Sequence, residues 1–258
     1  MVDKVALIIG AGSGIGGAVA AEFASHGYTV CVVRRTDQAK LDELVKKISG
    51  DGGSARAYLL DATDDKSVER LVDEIEGQVG PIAFACYNLG ANMGVRNIQN
   101  TRTDTFEKAF KLGAVGAFLL AKHVSKYMVP RAEGTIVFTS ATASVRGNAG
   151  HHAHAAAMMA RRGVAMSLNH ELRSHGIHVC HVIVDGVVDS PDTLGKFFPE
   201  AFQSLKAKLD PRQGMLKPVD LAKTYWHLHT QSRTCWTFEL DVSPWVENPW
   251  FNSPRASL

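Results

Sequence analysis

The sequence predicts a doubly wound α/β fold with a central parallel sheet, and three observations carry that prediction. Short, nearly continuous apolar runs alternate with helical stretches, the pattern of strands buried on both faces beneath helices. A cluster of glycines separates the first apolar run from the first helix. The linkers between elements are too short to hold a second folding unit, so residues 1–258 read as one domain.

Taken in order, VALII (5–9) is a buried strand, 15–26 a helix, TVCVV (29–33) a second strand and 37–49 a second helix, closed by 50-GDGG-53. ARAYLLD (55–61) is a third strand, followed by an amphipathic helix over 64–77 that stops at Gly77 and Gly80-Pro81. IAFACY (82–87) is the fourth strand. Residues 103–128 form a long helical region with a break near Gly113–Gly116. TIVFTS (135–140) is the fifth strand, 151–174 another long helix, and 176-GIHVCHVIV-184 contains the sixth strand. Residues 186–217 then break the rhythm with a turn (189-DSP-191), a Phe-rich helix (197-FFPEAFQSL-205) and a second turn (210-DPRQGMLKP-218). A helix at 219–229 and a strand near 235-CWTFEL-240 follow. An irregular excursion after a late strand is where a substrate lid would sit, although a plain surface insert has the same pattern.

Composition narrows the function classes. A formal charge of +2, with no Lys/Arg cluster beyond two or three residues, argues against a nucleic-acid partner. Cys31, Cys86, Cys180 and Cys235 are widely spaced and three lie in strand-like runs, which predicts reduced buried thiols and no disulfide framework. No apolar run reaches the roughly 18 residues of a membrane span, and the N-terminus enters a strand pattern too early for a signal peptide, so a cytoplasmic location with no membrane partner is expected.

The glycine cluster carries the first functional signal. In 5-VALIIGAGSGIGGAVAAEF-23, Gly10, Gly14 and Gly16 follow G-x-x-x-G-x-G, and Gly12, Gly14 and Gly17 satisfy G-x-G-x-x-G. Such a turn brings backbone close to a pyrophosphate and aims helix-start N–H groups at it. Gly10, Ser13, Gly14, Ile15 and Gly16 are therefore the candidates for holding a dinucleotide. The second strand ends in Arg34 and Arg35, where an acidic residue would bind a ribose 2′-hydroxyl. Guanidinium groups pair with a 2′-phosphate instead, so NADP(H) is expected over NAD(H). Two solvated arginines at a strand end are the plain alternative. Asp61, at the end of the third strand in LLDAT, is placed to touch an adenine ring, with Ala62 beside it.

The chain resembles the short-chain dehydrogenase/reductase family over essentially its full length, through GAGSGIG, LLDAT, 88-NLGA-91 and VIVDGVVDSP. The ending 235-CWTFELDVSPWVENPW-250 looks like that of a glucose/ribitol dehydrogenase-like branch. The resemblance implies a Rossmann-type domain with a seven-stranded sheet, assembled as a homodimer or homotetramer through the helices at 103–128 and 151–174. It adds Asn88 and Gly90, near the ribose, and Gly186, after the sixth strand, to the cofactor set.

The family's chemistry runs on asparagine, serine, tyrosine and lysine. Tyrosine exchanges the substrate proton, lysine lowers its pKa and holds the ribose, serine orients the carbonyl and asparagine anchors a water. The matching positions here are Gly113, Ala141, His154 and Met158, so none of the four expected side chains is present. His154 stands at the acid position, and its ordinary pKa near 6.5 suits proton donation at neutral pH. His151, one turn earlier, and Ser144 are the supporting candidates; Ser140 should face away if the strand continues. His151, His152 and His154 diverge on a helix, which argues against a metal site. A non-catalytic histidine lining a ligand cleft is the competing reading of His154. The expected activity is NADP(H)-dependent hydride transfer to or from a carbonyl or alcohol. A catalytically inactive nucleotide-binding or scaffolding relative, or a non-redox isomerase or cyclase, are the alternatives. Phe197, Phe198 and Phe202, with Trp226 and Trp245 near them, would suit an apolar or aromatic substrate.

Overall fold

The computed structural model describes residues 4–91, 93–191, 195, 199–248 and 250–251. The strands are β1 Val5–Ile9, β2 Thr29–Arg34, β3 Ser54–Leu59, β4 Ile82–Tyr87, β5 Gly134–Ala141, β6 Ile177–Val184 and β7 Glu239–Val242. They form one seven-stranded sheet in the order β3-β2-β1-β4-β5-β6-β7, with every pairing parallel. The chain runs outward from β1 to β3, then crosses back to place β4 on the other side of β1. That reversal opens a crevice at the strands' C-terminal ends.

Parallel strands need crossovers, and the helices supply them: α1 Ile15–Ser25, α2 Gln38–Gly50, α3 Asp65–Gln78, α4 Thr103–Phe110, α5 Gly116–Arg131, α6 His152–Arg173, α7 Pro199–Leu209 and α8 Pro218–His229. The sheet is buried on both faces. Val68, Leu71, Val72 and Ile75 of α3 pack on one face with Leu120 and Val124 of α5 and Ala165 and Leu172 of α6. Val19 and Phe23 of α1, Leu41 and Ile48 of α2, and Tyr225 and Leu228 of α8 cover the other. Burial on both sides explains why β1 is apolar throughout, with Val5 to Ile9 at most 1% exposed. Each such side chain contributes about 1.5–3 kcal/mol relative to exposure. In α3 the buried residues fall at i, i+3, i+4 and i+7, and the Asp64 carboxylate caps the first turn by accepting from Ser67 N at 2.8 Å.

Departures from the sequence reading have local causes. The expected break in the 103–128 helix is a π turn, Lys111–Val115, between α4 and α5. The last strand begins at Glu239, so most of 235–240 is not strand. Cys235 N closes a turn onto Ser232 O, and Thr237 O hydrogen-bonds His178 Nε2, so those groups are spent outside the ladder. Cys31, Cys86 and Cys180 are buried free thiols, while Cys235 is exposed. Trp226 is far from the lid segment: it stacks on His26 at 3.8 Å and packs edge-on to Phe23 and Tyr28 beyond the end of α1. Trp245 does border that segment, donating Nε1–H to Arg212 O at 3.1 Å. Phe197 and Phe198 lie outside the described residues. Phe202 is buried against Gly195 within the excursion, which ties its ring to packing.

Candidate active site

A cleft of about 650 Å³ opens at the crevice between β1 and β4. Its lining includes Gly10, Ser13, Gly14, Ile15, Gly16, Arg34, Arg35, Asp61, Ala62, Asn88, Gly90 and Gly186, so every residue expected to hold a nucleotide faces one space. The glycine turn follows β1 directly and leads into α1. Gly16 is required there by space: a Cβ would stand 2.4 Å from the Gly10 carbonyl oxygen and 2.9 Å from Asn88 Nδ2. Gly14 caps α1 without a side-chain hydrogen bond, which leaves the helix-start N–H groups to a ligand anion. These features fit the diphosphate of a dinucleotide. Asn88 has a structural task as well, donating from Nδ2 to Gly10 O at 3.1 Å and so tying β4 to the turn.

At the far end of this cleft, Arg34 and Arg35 leave the tip of β2. The Asp61 carboxylate accepts from Thr63 N at 2.9 Å and Thr63 Oγ1 at 2.7 Å. Those hydrogen bonds, with a smaller contribution from the Arg35 charge, hold its pKa below the ordinary carboxylate range. Asp61 is therefore an anion, and its negative charge stands beside Arg35.

The inner end is built differently. Leu112, Thr139, Ser140 and Ala141 line it. Ser140 does not face away: its hydroxyl donates to Met158 Sδ at 3.8 Å, because Ser140 shares the strand face of Phe138 that packs toward α6. Ser144 is buried and donates to Ala141 O at 2.7 Å, closing the turn that follows β5. Neither Ser144, His151 nor His154 lines the cleft.

His154 is half-buried, with an unpartnered buried Nδ1. Burial first, then the charges of His151 and Arg161, lower its pKa to about 4, and a hydrogen bond to the Ala91 backbone only partly offsets them. At neutral pH the ring is uncharged, which removes the expectation of a histidine titrating near neutrality.

The residue that sequence reasoning missed is Arg161, which is 1% exposed. On α6, Ala157, Met158, Arg161 and Ala165 are all buried, so this arginine occupies a core position of the helical pattern. That register is written in the sequence, but two adjacent arginines, 161-RR-162, do not show which of them is buried. Arg162 is the outer one, pairing with Glu239 at 2.6 Å. Ser190, after β6, was missed as well; it lines the cleft against Gly14.

A family profile described as short chain dehydrogenase matches residues 4–197. The chain belongs to the short-chain dehydrogenase family. That membership makes it a relative of NAD(P)-binding oxidoreductases that transfer hydride. Zerumbone synthase of Zingiber zerumbet is 34% identical over 177 residues, 68% of this chain and 66% of that protein. Short chain aldehyde dehydrogenase 1 of Euphorbia lathyris is 32% identical over 186 residues, 72% of this chain and 64% of its own length. The chain thus matches just under two thirds of the length of these two relatives. The crystal structure of a short-chain dehydrogenase from Rhodopseudomonas palustris superposes with a TM-score of 0.78 at 31% identity, covering 94% of this chain and 99% of that one.

Proposed function

We propose that this short-chain dehydrogenase is an NADP(H)-dependent oxidoreductase acting on a carbonyl or alcohol, with a catalytic site that departs from its family's. The observation that carries the proposal is the composition of the cleft. All twelve residues assigned to the nucleotide line it, and two arginines stand where a 2′-hydroxyl-binding acid would be. Bound there, the nicotinamide would supply or accept the hydride. The glycine turn and the start of α1 would hold the diphosphate, and Arg34 and Arg35 the 2′-phosphate. Asp61 beside Arg35 adds a negative charge at that end, so the preference for the phosphate is set by two guanidinium groups against one carboxylate.

Proton handling is where this reading is specific. With Ala141, Met158 and Gly113 at the family's serine, lysine and asparagine positions, only His154 among the four positions can exchange a proton. As a neutral imidazole it can accept a proton from an alcohol or relay one from water. His151 and Ser144 are its nearest candidate helpers. A second reading, a nucleotide-binding relative without turnover, is favoured by one observation: His154 does not line the cleft. Non-redox chemistry in the same cleft, such as isomerisation or cyclisation, stands behind both.

The whole chain works in this proposal as one nucleotide-binding domain in the cytoplasm, with 186–217 covering a pocket for an apolar small molecule. Gly186, Val188 and Ser190 border the cleft from that segment, and Asp189 ties the segment to itself through Lys206 and Lys217, each at 2.9 Å. A homodimer or homotetramer is part of the proposal. Phe106 and Phe110 of α4, Phe118 of α5, and Met159 and Met166 of α6 are exposed apolar side chains on the helices that family members bring together.

Calorimetry with NADPH and NADH tests the cofactor. NADPH should bind about 10–100-fold more tightly, and Arg34→Ala/Arg35→Ala should erase the difference. Equal affinities in the parent protein would remove the NADP(H) assignment, and no binding of either would remove the oxidoreductase reading.

A further inference from the structure

Arg161 is a buried cation for which the proposed reaction has so far no use. Its Nε donates to Gly113 O at 2.7 Å, one Nη to Thr139 O, and the other to Leu89 O at 2.7 Å and Leu112 O at 3.4 Å. The guanidinium also lies 5.0 Å from the centre of the Tyr87 ring. Its hydrogen-bond partners are carbonyls drawn from three places: the end of β5, the loop after β4, and the π turn. The π turn explains how two are available, since widening the helix releases the carbonyls of Leu112 and Gly113 from the regular ladder.

Three of the four residues whose carbonyls accept from Arg161, Leu89, Leu112 and Thr139, are also residues of the cleft's inner wall. The fourth, Gly113, is closed to any side chain. A Cβ there would meet Ala157 Cβ at 2.6 Å and Met158 Cε at 3.1 Å, so an asparagine does not fit with α6 as packed. Gly113, Met158 and Arg161 are thus one substitution in physical terms. The helix face that loses a lysine at 158 gains an arginine one turn later, and the asparagine position empties to admit the packing.

We propose that Arg161 is the fixed cation of this site: a positioning residue that holds the inner wall through four carbonyls and supplies from position 161 the positive charge its family carries at position 158. The proposal rests on the oxidoreductase reading of the cleft. A buried guanidinium with four of its five N–H groups committed to carbonyls is not placed to hold a ribose as that lysine does. What it retains is the charge, uncompensated by any carboxylate among its described partners. That charge disfavours a protonated His154 and favours negative charge on an oxygen at the inner end of the cleft. The titratable groups facing Arg161 are Cys86 and Tyr87 of β4, Tyr225 of α8 and His181 of β6; those facing His154 are His151 and Arg161 itself.

The test is an NMR titration of the His154 ring in the full-length protein without cofactor. In Arg161→Met the His154 pKa should rise by about one unit or more, whereas Arg161→Lys and Arg161→Met/Met158→Lys should keep it low. A purely structural arginine would give equal titrations in Arg161→Met and Arg161→Lys, and that outcome overturns the proposal, as does no shift in Arg161→Met. Should Arg161→Met fail to fold, Met158→Lys alone decides. Two cations in one slot should lower the melting temperature at neutral pH and recover it toward pH 10, and an unchanged melting temperature overturns the proposal. None of these readouts needs NADPH, so failure of nucleotide binding would sink the oxidoreductase reading and leave this result standing.

Discussion

The two ends of the cleft contrast in what holds them together. The nucleotide end is backbone: a glycine turn, an uncapped helix start, and arginines at a strand tip. The inner end is held by side chains, with Ser140 on Met158, Ser144 on Ala141 O, and Arg161 on four carbonyls. Backbone requirements tolerate little change, because the space is fixed by the fold. Side-chain requirements can be met by another set, provided the replacements fit each other. On the proposed reading, the cofactor geometry of the family is kept here while its proton-handling residues are exchanged as a group.

The harshest way to break that contrast is at Gly16. Gly16→Val would drive Cβ and its methyl groups into the Gly10 carbonyl and Asn88. Backbone cannot yield there without moving β1 or β4, so overpacking costs about 1–3 kcal/mol or more. NADPH affinity should fall on the order of 100-fold, with a lower melting temperature. Calorimetry and thermal unfolding measure both. An unchanged affinity would mean that the turn does not hold the nucleotide.

Next in size is the response to acid. His154, His181 and His229 each have pKa values lowered to about 4, in every case chiefly by burial. Unfolding returns each to about 6.5, so the unfolded chain binds more protons between those values. The sign follows: this stability is fully present above pH 6.5 and is lost as pH falls toward 4. Glu239, held below its ordinary range chiefly by its hydrogen bond from Arg162, adds to the loss on further acidification. Denaturant midpoints measured from pH 7.5 to 4 should fall continuously, with the slope reduced in His181→Phe. A flat profile would show that these rings are already charged in the folded protein.

The same contrast explains what could be read from the sequence. The nucleotide end was legible because its requirements are local in the chain. Gly10 to Gly16 lie on one turn, and Arg34 and Arg35 on one strand tip. The sheet was equally legible, since two-sided burial writes continuous apolar runs. The inner end was legible only as a set of departures from a family pattern. Position 154 names a histidine, but its burial comes from the packing around α6, and its lowered pKa comes chiefly from that burial, with His151 and then Arg161 adding to it. Arg161 itself was hidden because its partners are carbonyls at 89, 112, 113 and 139, and backbone atoms leave no mark in a sequence. Trp226 was misplaced for a related reason: helix α8 turns it toward α1, and nothing in the local pattern shows which end of the sheet that is.

The smallest expected effect on nucleotide affinity sharpens the division between the ends. The residues assigned to the nucleotide line the cleft, and His154 does not. His154→Phe keeps a planar ring of similar size on the same helix face, so α6 should stay in place. NADPH affinity should therefore change by less than about 2-fold, under 0.5 kcal/mol, as for a site separated from the ligand. Turnover, measured as NADPH oxidation with a panel of carbonyl substrates, should fall by about 10²–10⁴-fold if the imidazole exchanges the proton. The pH profile gives the sign. A proton-accepting imidazole with its pKa near 4 is competent across the neutral range, so the oxidation direction should be flat from pH 6 to 8 and fall only as pH drops toward 4. A histidine active as an acid would instead show reduction rising over that same fall in pH. Activity unchanged in His154→Phe would assign the proton to water and leave Arg161 as the only charge that the inner end contributes.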